Sequence, residues 1–321
     1  MHDSRGKGTD TKHGILVQAC RGVAVKVVFF ANGGALALEP LRAVAARHDV
    51  VAVVRPADRR GRFRGWMGAA ARAAGLRPTD PLVKWVRQSG LRELQYHVGG
   101  EAQLGGALRK CAPDIACIST FPSILPAGLL DIARLGTVNL HPSLLPRHRG
   151  PSPYFWIYYH DDQRTGVTVH RATARADAGP VLGQESFALA RGMGIVALHE
   201  ENARAGARVL MEVLDSAEAG RFTEAPQDDA LATPAPRVAP GAAMVNFRDW
   251  EVERVWHFLA GLVPMFREPL RETGGRGVRY AAVQGFERGE TEAAPGSVTR
   301  TAHGWSLHCR GGLVNLVAER S

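Results

Sequence analysis

Val138-Asn139-Leu140-His141-Pro142-Ser143-Leu144-Leu145-Pro146-Arg147-His148-Arg149-Gly150, with Asp177-Ala178-Gly179-Pro180 further along, decides how this chain is read. It reads as a strand followed by a proline-rich turn. The strand end carries an amide at Asn139 and an imidazole at His141, and a later loop carries a carboxylate at Asp177. Such a set suits transfer of an acyl unit between nitrogens. The amide and ring N–H groups donate to a developing oxyanion, and a carboxylate beside the imidazole raises its pKa, orients it and relays a proton. Each residue also has a purely local reading: His141 as a strand-end histidine satisfied by backbone, Asp177 as the start of an Asx-turn.

Outward from this stretch, short apolar runs alternate with helical patterns from Val23 to about Leu140, the signature of a parallel sheet with crossover helices. Val23 to Phe30, Val50 to Val54 and Asp114 to Ser119 are apolar and partly β-branched, as strands covered on both faces are. Asn32-Gly33-Gly34 reads as a tight turn into a helix near Leu38. It lacks the G-x-G-x-x-G spacing of a dinucleotide site. Strands are expected on either side of the Asp177 loop, at Val167 to Arg171 and Val181 to Ala188, and a long helix over Ile195 to Ala219. Residues 220–240 lack periodicity and read as a linker. Beyond it come a helix at Trp250 to Leu262 and short strands at Val278 to Val283, Gly296 to Thr299, Trp305 to Cys309 and Leu313 to Val317, the spacing of a small antiparallel barrel.

The 321 residues, 45% of them hydrophobic, suffice for roughly two domains with a sizeable core. No apolar run is long enough to span a membrane, so no membrane partner is expected. Residues 1–22 are polar without an apolar h-region and read as a disordered extension. Cys20, Cys111, Cys117 and Cys309 show neither metal-site nor disulfide spacing, which favours a reducing cytoplasm. The histidines and carboxylates form no metal-ligand pattern, and no metal is expected.

The motif resembles that of the folate-dependent formyltransferase family, N-x-H-x-S-L-L-P-x-x-x-G followed by D-x-G. Phe121-Pro122-Ser123-Ile124-Leu125-Pro126 is similar to the family's segment along the folate. Gly166-Val167-Thr168-Val169-His170 is similar to its strand leading to the aspartate. Phe247-Arg248-Asp249-Trp250 resembles the opening of the small C-terminal barrel of the methionyl-tRNA formyltransferase branch. The resemblance spans residues 22–321. It implies a Rossmann-like, mostly parallel α/β formyltransferase domain over 23–219, the linker, and a C-terminal OB-like domain over 241–321. It also implies 10-formyltetrahydrofolate as co-substrate and Asn139, His141 and Asp177 as the catalytic set. The pterin pocket would be lined by Phe121, Ile124, Leu125 and Pro126 and closed by the Ala174 to Asp177 loop, with Ala174 and Ala176. Ser143 and Tyr154 are candidate substrate contacts; Tyr154 and Trp156 read either as the wall of an acceptor pocket or as helix core, with the core reading preferred for Phe155 and Trp156.

Charge bears on the acceptor. The chain carries a formal +9. Its excess lies between Arg55 and Arg92, where Arg55, Arg59, Arg60, Arg62, Arg64, Arg72, Arg77, Lys84, Arg87 and Arg92 face only Asp58 and Asp80. That segment reads either as a phosphate-binding surface or as a solvated amphipathic helix. From Gly241 to Ser321 there are 10 Arg and 9 Asp plus Glu, an excess of 10 − 9 = +1, a poor platform for tRNA. Pro151-Ser152-Pro153-Tyr154-Phe155-Trp156 also departs from the small residues that branch has after its motif. The expected acceptor is therefore a small-molecule amine: an amino sugar, amino acid or other biosynthetic amine. The alternatives are charged tRNA, or water as in a 10-formyltetrahydrofolate hydrolase; no DNA partner is expected.

Overall fold

The computed structural model of the protein describes residues 24–57, 80–272, 274–291 and 293–319. The extension read over 1–22 and most of the arginine-rich stretch, residues 58–79, lie outside the described residues. Strand β1, Lys26–Ala31, is buried at every position after Lys26, as its unbroken apolar run requires of a central strand covered on both faces. It passes through the Asn32-Gly33-Gly34 turn into α1, Ala35–Arg47, and on to β2, Asp49–Pro56. Then follow α2 (Pro81–Gln88), β3 (Glu93–Tyr96), α3 (Glu101–Arg109), β4 (Ile115–Ser119), α4 (Ala127–Leu130) and β5 (Thr137–His141). After α5, Pro153–Tyr159, the chain forms β6, Arg164–Arg171, and β7, Val181–Ala188. The seven strands make one sheet in the order β3-β2-β1-β4-β5-β6-β7. β1 to β5 pair in parallel, while β6 runs antiparallel to both β5 and β7.

Alternation along β5 sets the faces. Val138 and Leu140 belong to the core beneath α1 and the long helix α6, Ile195–Glu218. Asn139 and His141 therefore point to the opposite face at the carboxyl end of the strand, where open α/β sheets bind ligands. The switch from parallel to antiparallel pairing at β5/β6 puts Asn139 opposite His170 and His141 opposite Thr168.

The C-terminal part comprises α7, Val252–Leu262, and a four-stranded antiparallel sheet in the order β8-β11-β10-β9. Its strands are Tyr280–Arg288, Val298–Arg300, Gly304–Cys309 and Gly312–Ala318. Its core is shared with the first part. Phe155, Ile157 and Tyr158 of α5 and Ile195 and Leu198 of α6 lie in one buried cluster with Val255, Phe258, Leu262 and Tyr280. The Phe155 ring meets Phe258 at 5.5 Å and Phe266 at 5.1 Å, edge to face. Gly261 is required where α7 crosses α5, because a Cβ there would stand 2.1 Å from the Tyr158 ring.

Burial makes this fold acid-sensitive. His199 and His257 are held down to about 4, chiefly by burial, and burial also lowers His48. The unfolded chain protonates these rings near the ordinary histidine pKa of ~6.5. Their contribution is therefore fully present above that pH and is lost as pH falls towards their folded values. The melting temperature is expected to drop steeply between about pH 6.5 and 4, before the carboxylates titrate. A flat profile in thermal melts across that window would show that the rings are not buried in the neutral form.

Candidate active site

The carboxyl end of β5, the turn after it and the loop between β6 and β7 meet at Asp177. Asn139 Nδ2 lies 3.0 Å from His170 Nε2 and donates to Asp177 Oδ1 at 3.3 Å. His170 Nδ1 donates to the Arg171 carbonyl at 2.8 Å. Its Nε2 is then the acceptor for Asn139 in the neutral ring. His141 Nε2 donates to the His148 carbonyl at 2.9 Å, which leaves Nδ1 facing Asp177 Oδ1 at 3.6 Å. The other carboxylate oxygen accepts the Gly150 N–H at 2.8 Å. Gly150 sits at φ 128°, and a Cβ there would press on the Ala235 carbonyl at 2.8 Å. This glycine of the motif thus allows the close approach that brings its N–H to the carboxylate.

Electrostatics follow from burial and these partners. Burial opposes ionisation of Asp177, but the His170 and His141 rings and the Gly150 N–H outweigh it and hold the carboxyl down to about 2. His141 shows the reverse balance. Burial lowers its pKa, the charge of Asp177 opposes that only in part, and the net shift is downward. The expectation that a neighbouring carboxylate raises this imidazole is thereby corrected, since desolvation of a nearly enclosed ring exceeds the attraction of one carboxylate at 3.6 Å. At neutral pH the pair is a neutral imidazole beside a carboxylate. Nδ1 is the nitrogen open to proton exchange, and a proton gained there faces Asp177.

Among the other expected site residues, Phe121 packs edge-on to Phe30 at 5.5 Å. Ile124 is 67% exposed, whereas Leu125 is 2% exposed and part of the core under α3 and α4. Pro126 caps α4. Ala174 and Ala176 are exposed on the loop before Asp177. The Ser143 hydroxyl donates to the Arg147 carbonyl at 2.7 Å and so braces the turn. Tyr154 lies against His199, ring centroids 4.1 Å apart and planes tilted by 48°, with its hydroxyl enclosed, so it faces the interior. The pairing of Asn139 with His170 was not foreseen from the sequence. The β5/β6 register creates it, and a Thr-Val-His strand ending alone does not reveal that register. Among the described residues, no group of three or more His, Cys, Asp or Glu is placed to hold a metal ion, and no helix is long and apolar enough to cross a membrane.

A mostly parallel sheet with an amide, two imidazoles and a carboxylate at its carboxyl edge defines an acyl-transfer enzyme of the α/β class. The chain belongs to the formyl transferase family, whose pattern matches residues 25–214. It is a formyltransferase. It is similar to the methionyl-tRNA formyltransferase of Deinococcus radiodurans, 32% identical over 291 residues, covering 90% of this chain and 86% of that protein. The methionyl-tRNA formyltransferase of a Roseiflexus species is 32% identical over 299 residues, with the same shares covered. In fold it is similar to WlaRD, a sugar 3N-formyl transferase solved with dTDP and 5-N-formyl-THF. The TM-score is 0.67 at 12% identity over 94% of this chain and 100% of that one. The N-formyltransferase of Helicobacter canadensis, solved with folinic acid and dTDP-3-aminofucose, gives 0.66 at 12% identity over 92% and 99%.

Asp177→Asn removes the charge that partly holds up the His141 pKa. The variant is expected to transfer formyl more slowly and to show the acid limb of its pH–rate profile displaced to still lower pH. An acid limb that stays in place would put the proton path elsewhere.

Proposed function

We propose that this enzyme transfers the formyl group of 10-formyltetrahydrofolate to the amine of a small-molecule acceptor, such as an amino sugar, an amino acid or another biosynthetic amine. Bound 10-formyltetrahydrofolate supplies an activated formyl carbon. The exposed Ile124, the half-buried Phe121 and the accessible 173–176 loop suit a flat heteroaromatic ring, with Leu125 backing Phe121 from the core and Pro126 at the rim. Asn139 Nδ2, whose two N–H groups are held by His170 and Asp177 before substrate binds, turns one of them to the developing oxyanion, a donor without pH dependence. His141 Nδ1 takes up the proton released by the amine, Asp177 stabilises the resulting imidazolium, and the ring returns that proton to N10 as its bond to the formyl carbon breaks and tetrahydrofolate leaves.

The near-neutral C-terminal part carries the choice of acceptor. Its excess charge is +1 (10 − 9), and Arg267, Arg279, Arg288 and Arg310 each meet a carboxylate. Arg254 is drawn over the Trp250 ring at 4.1 Å. A surface so neutralised gives weak attraction to a polyphosphate backbone.

A charged initiator tRNA is the second reading, favoured by relatives at 32% identity over 90% of the chain that are named methionyl-tRNA formyltransferases. Tetrahydrofolate formation from 10-formyltetrahydrofolate, with and without methionyl-tRNA, separates the two. No acceleration by the tRNA is expected, with turnover appearing on addition of amino sugars or amino acids. A strong, salt-sensitive acceleration by the tRNA would overturn the small-amine reading.

A further inference from the structure

Residues 220–240, read from the sequence as a linker, run against both loops of the site. Ala225 bridges Val181, Pro234 bridges Arg149, and the His148 N–H donates to Thr233 Oγ1 at 2.9 Å. At the centre lies Gln227. Its Nε2 donates to the carbonyls of Asp177 at 2.9 Å and Gly179 at 2.7 Å. Its Oε1 accepts Arg149 Nη2 at 2.7 Å and Nε at 3.0 Å. Both donors and both lone pairs of the amide are therefore used, a set that neither a carboxylate nor an apolar side chain reproduces.

These bonds converge on the catalytic carboxylate. Asp177 lies at φ 53°, in the left-handed region that a non-glycine residue leaves unless its surroundings hold it. Gln227 fixes the carbonyl of that same residue. Through Arg149 it is tied to the backbone next to Gly150, whose N–H donates to Asp177 Oδ2. One side chain thus sets the spacing between the loop that carries the carboxylate and the turn that receives it. Asp229 braces the arrangement from outside by accepting from Arg149 at 2.7 Å and Arg175 at 2.9 Å.

We propose that Gln227 is a positioning residue for formyl transfer, holding the Asp177 loop so that its carboxylate faces Asn139 and His141. This rests on Asp177 being the carboxylate that serves His141. His141 itself faces Asp177 on the loop, His170 on β6 and His148 on the turn after β5. With Asp177 displaced it loses the one neighbouring charge of opposite sign in that set, and its titration moves to lower pH.

The test follows the His141 ring by NMR pH titration of the full chain, with ring signals assigned through His141→Ala, alongside thermal melts. Gln227→Met keeps the volume and removes all four bonds. Gln227→Glu keeps the Arg149 pairing but turns an oxygen towards two carbonyls, and it serves if the first variant does not fold. Either variant is expected to lower the His141 midpoint in the direction that Asp177→Asn lowers it. Placed in the Asp177→Asn background, it is expected to cause no further shift, because the two changes act through one carboxylate. Formyl transfer is expected to slow on the order of tenfold or more, as small misplacements near reacting groups do. A lowered melting temperature with an unmoved His141 midpoint would overturn the proposal and leave Gln227 a structural tie. Additive shifts in the double variant would overturn it as well. If Asp177→Asn itself leaves His141 unmoved, the role of Asp177 falls first and that of Gln227 with it.

Discussion

Asn139→Ala is expected to lower kcat by on the order of a hundred- to a thousandfold, the loss that follows removal of one oxyanion donor. The melting temperature should move by only about a few degrees, because the lost bonds are worth roughly 1 kcal/mol each in stability. The asymmetry comes from where the amide sits. It occupies the end of a central strand whose neighbours Val138 and Leu140 supply the packing, while Asn139 spends its two donors on His170 Nε2 and Asp177 Oδ1. Its loss removes a donor from the reacting region and a partner from the carboxylate together. Asn139→Asp tests the charge arm of the same argument. A second carboxylate 3.3 Å from Asp177 would force one of the pair to hold a proton near neutral pH, so this variant should lose as much activity and gain a new pH dependence. Near-full activity of Asn139→Ala in a tetrahydrofolate-release assay would remove the amide from the mechanism.

Removal of the chain from Gly241 onward is expected to abolish the folded state of the remainder. Independence of the first part, the natural reading of an unpatterned stretch at 220–240, would require a core closed on itself. Phe155 and Tyr158 of α5 are instead buried against Phe258, Phe266 and Gly261, and Ile195 and Leu198 share that cluster. Exposing four such side chains forfeits roughly 1.5–3 kcal/mol each, an upper estimate because unfolded chains already bury some surface. The sum reaches the whole stability of a typical domain, about 5–15 kcal/mol. Expression of residues 1–240 should therefore give insoluble or molten material. A soluble fragment with a cooperative melt would show that α5 can cover its own aromatic face. Gly261→Ala probes the same contact within the full chain. Its methyl would stand 2.1 Å from the Tyr158 ring, and the variant should lose several degrees of melting temperature.

Much of the fold was legible before any coordinates. The second strand flanking the Asp177 loop spans Val181–Ala188 as expected, and the long helix spans Ile195–Glu218 against an expected end at Ala219. Long periodic segments announce themselves because burial repeats at the period of the backbone. The first strand begins at Lys26 rather than Val23 and ends at Ala31 rather than Phe30. The Tyr154-Phe155-Trp156 run left two readings open, pocket wall or helix core. Aromatic residues serve either purpose, and only the α5/α7 crossing turned the ring of Phe155 to the core.

By itself the sequence determined the alternating strands and helices, and it singled out an amide, an imidazole and a carboxylate as the proposed reactive set, because periodicity and side-chain chemistry are local properties. Tertiary structure alone decided what surrounds the carboxylate. Antiparallel pairing of β5 with β6 delivers His170, the φ of Gly150 delivers a backbone N–H, and the returning 220–240 segment delivers Gln227. It also decided that His141 is neutral, since burial depends on how many distant segments close over a ring and no local pattern of residues encodes that.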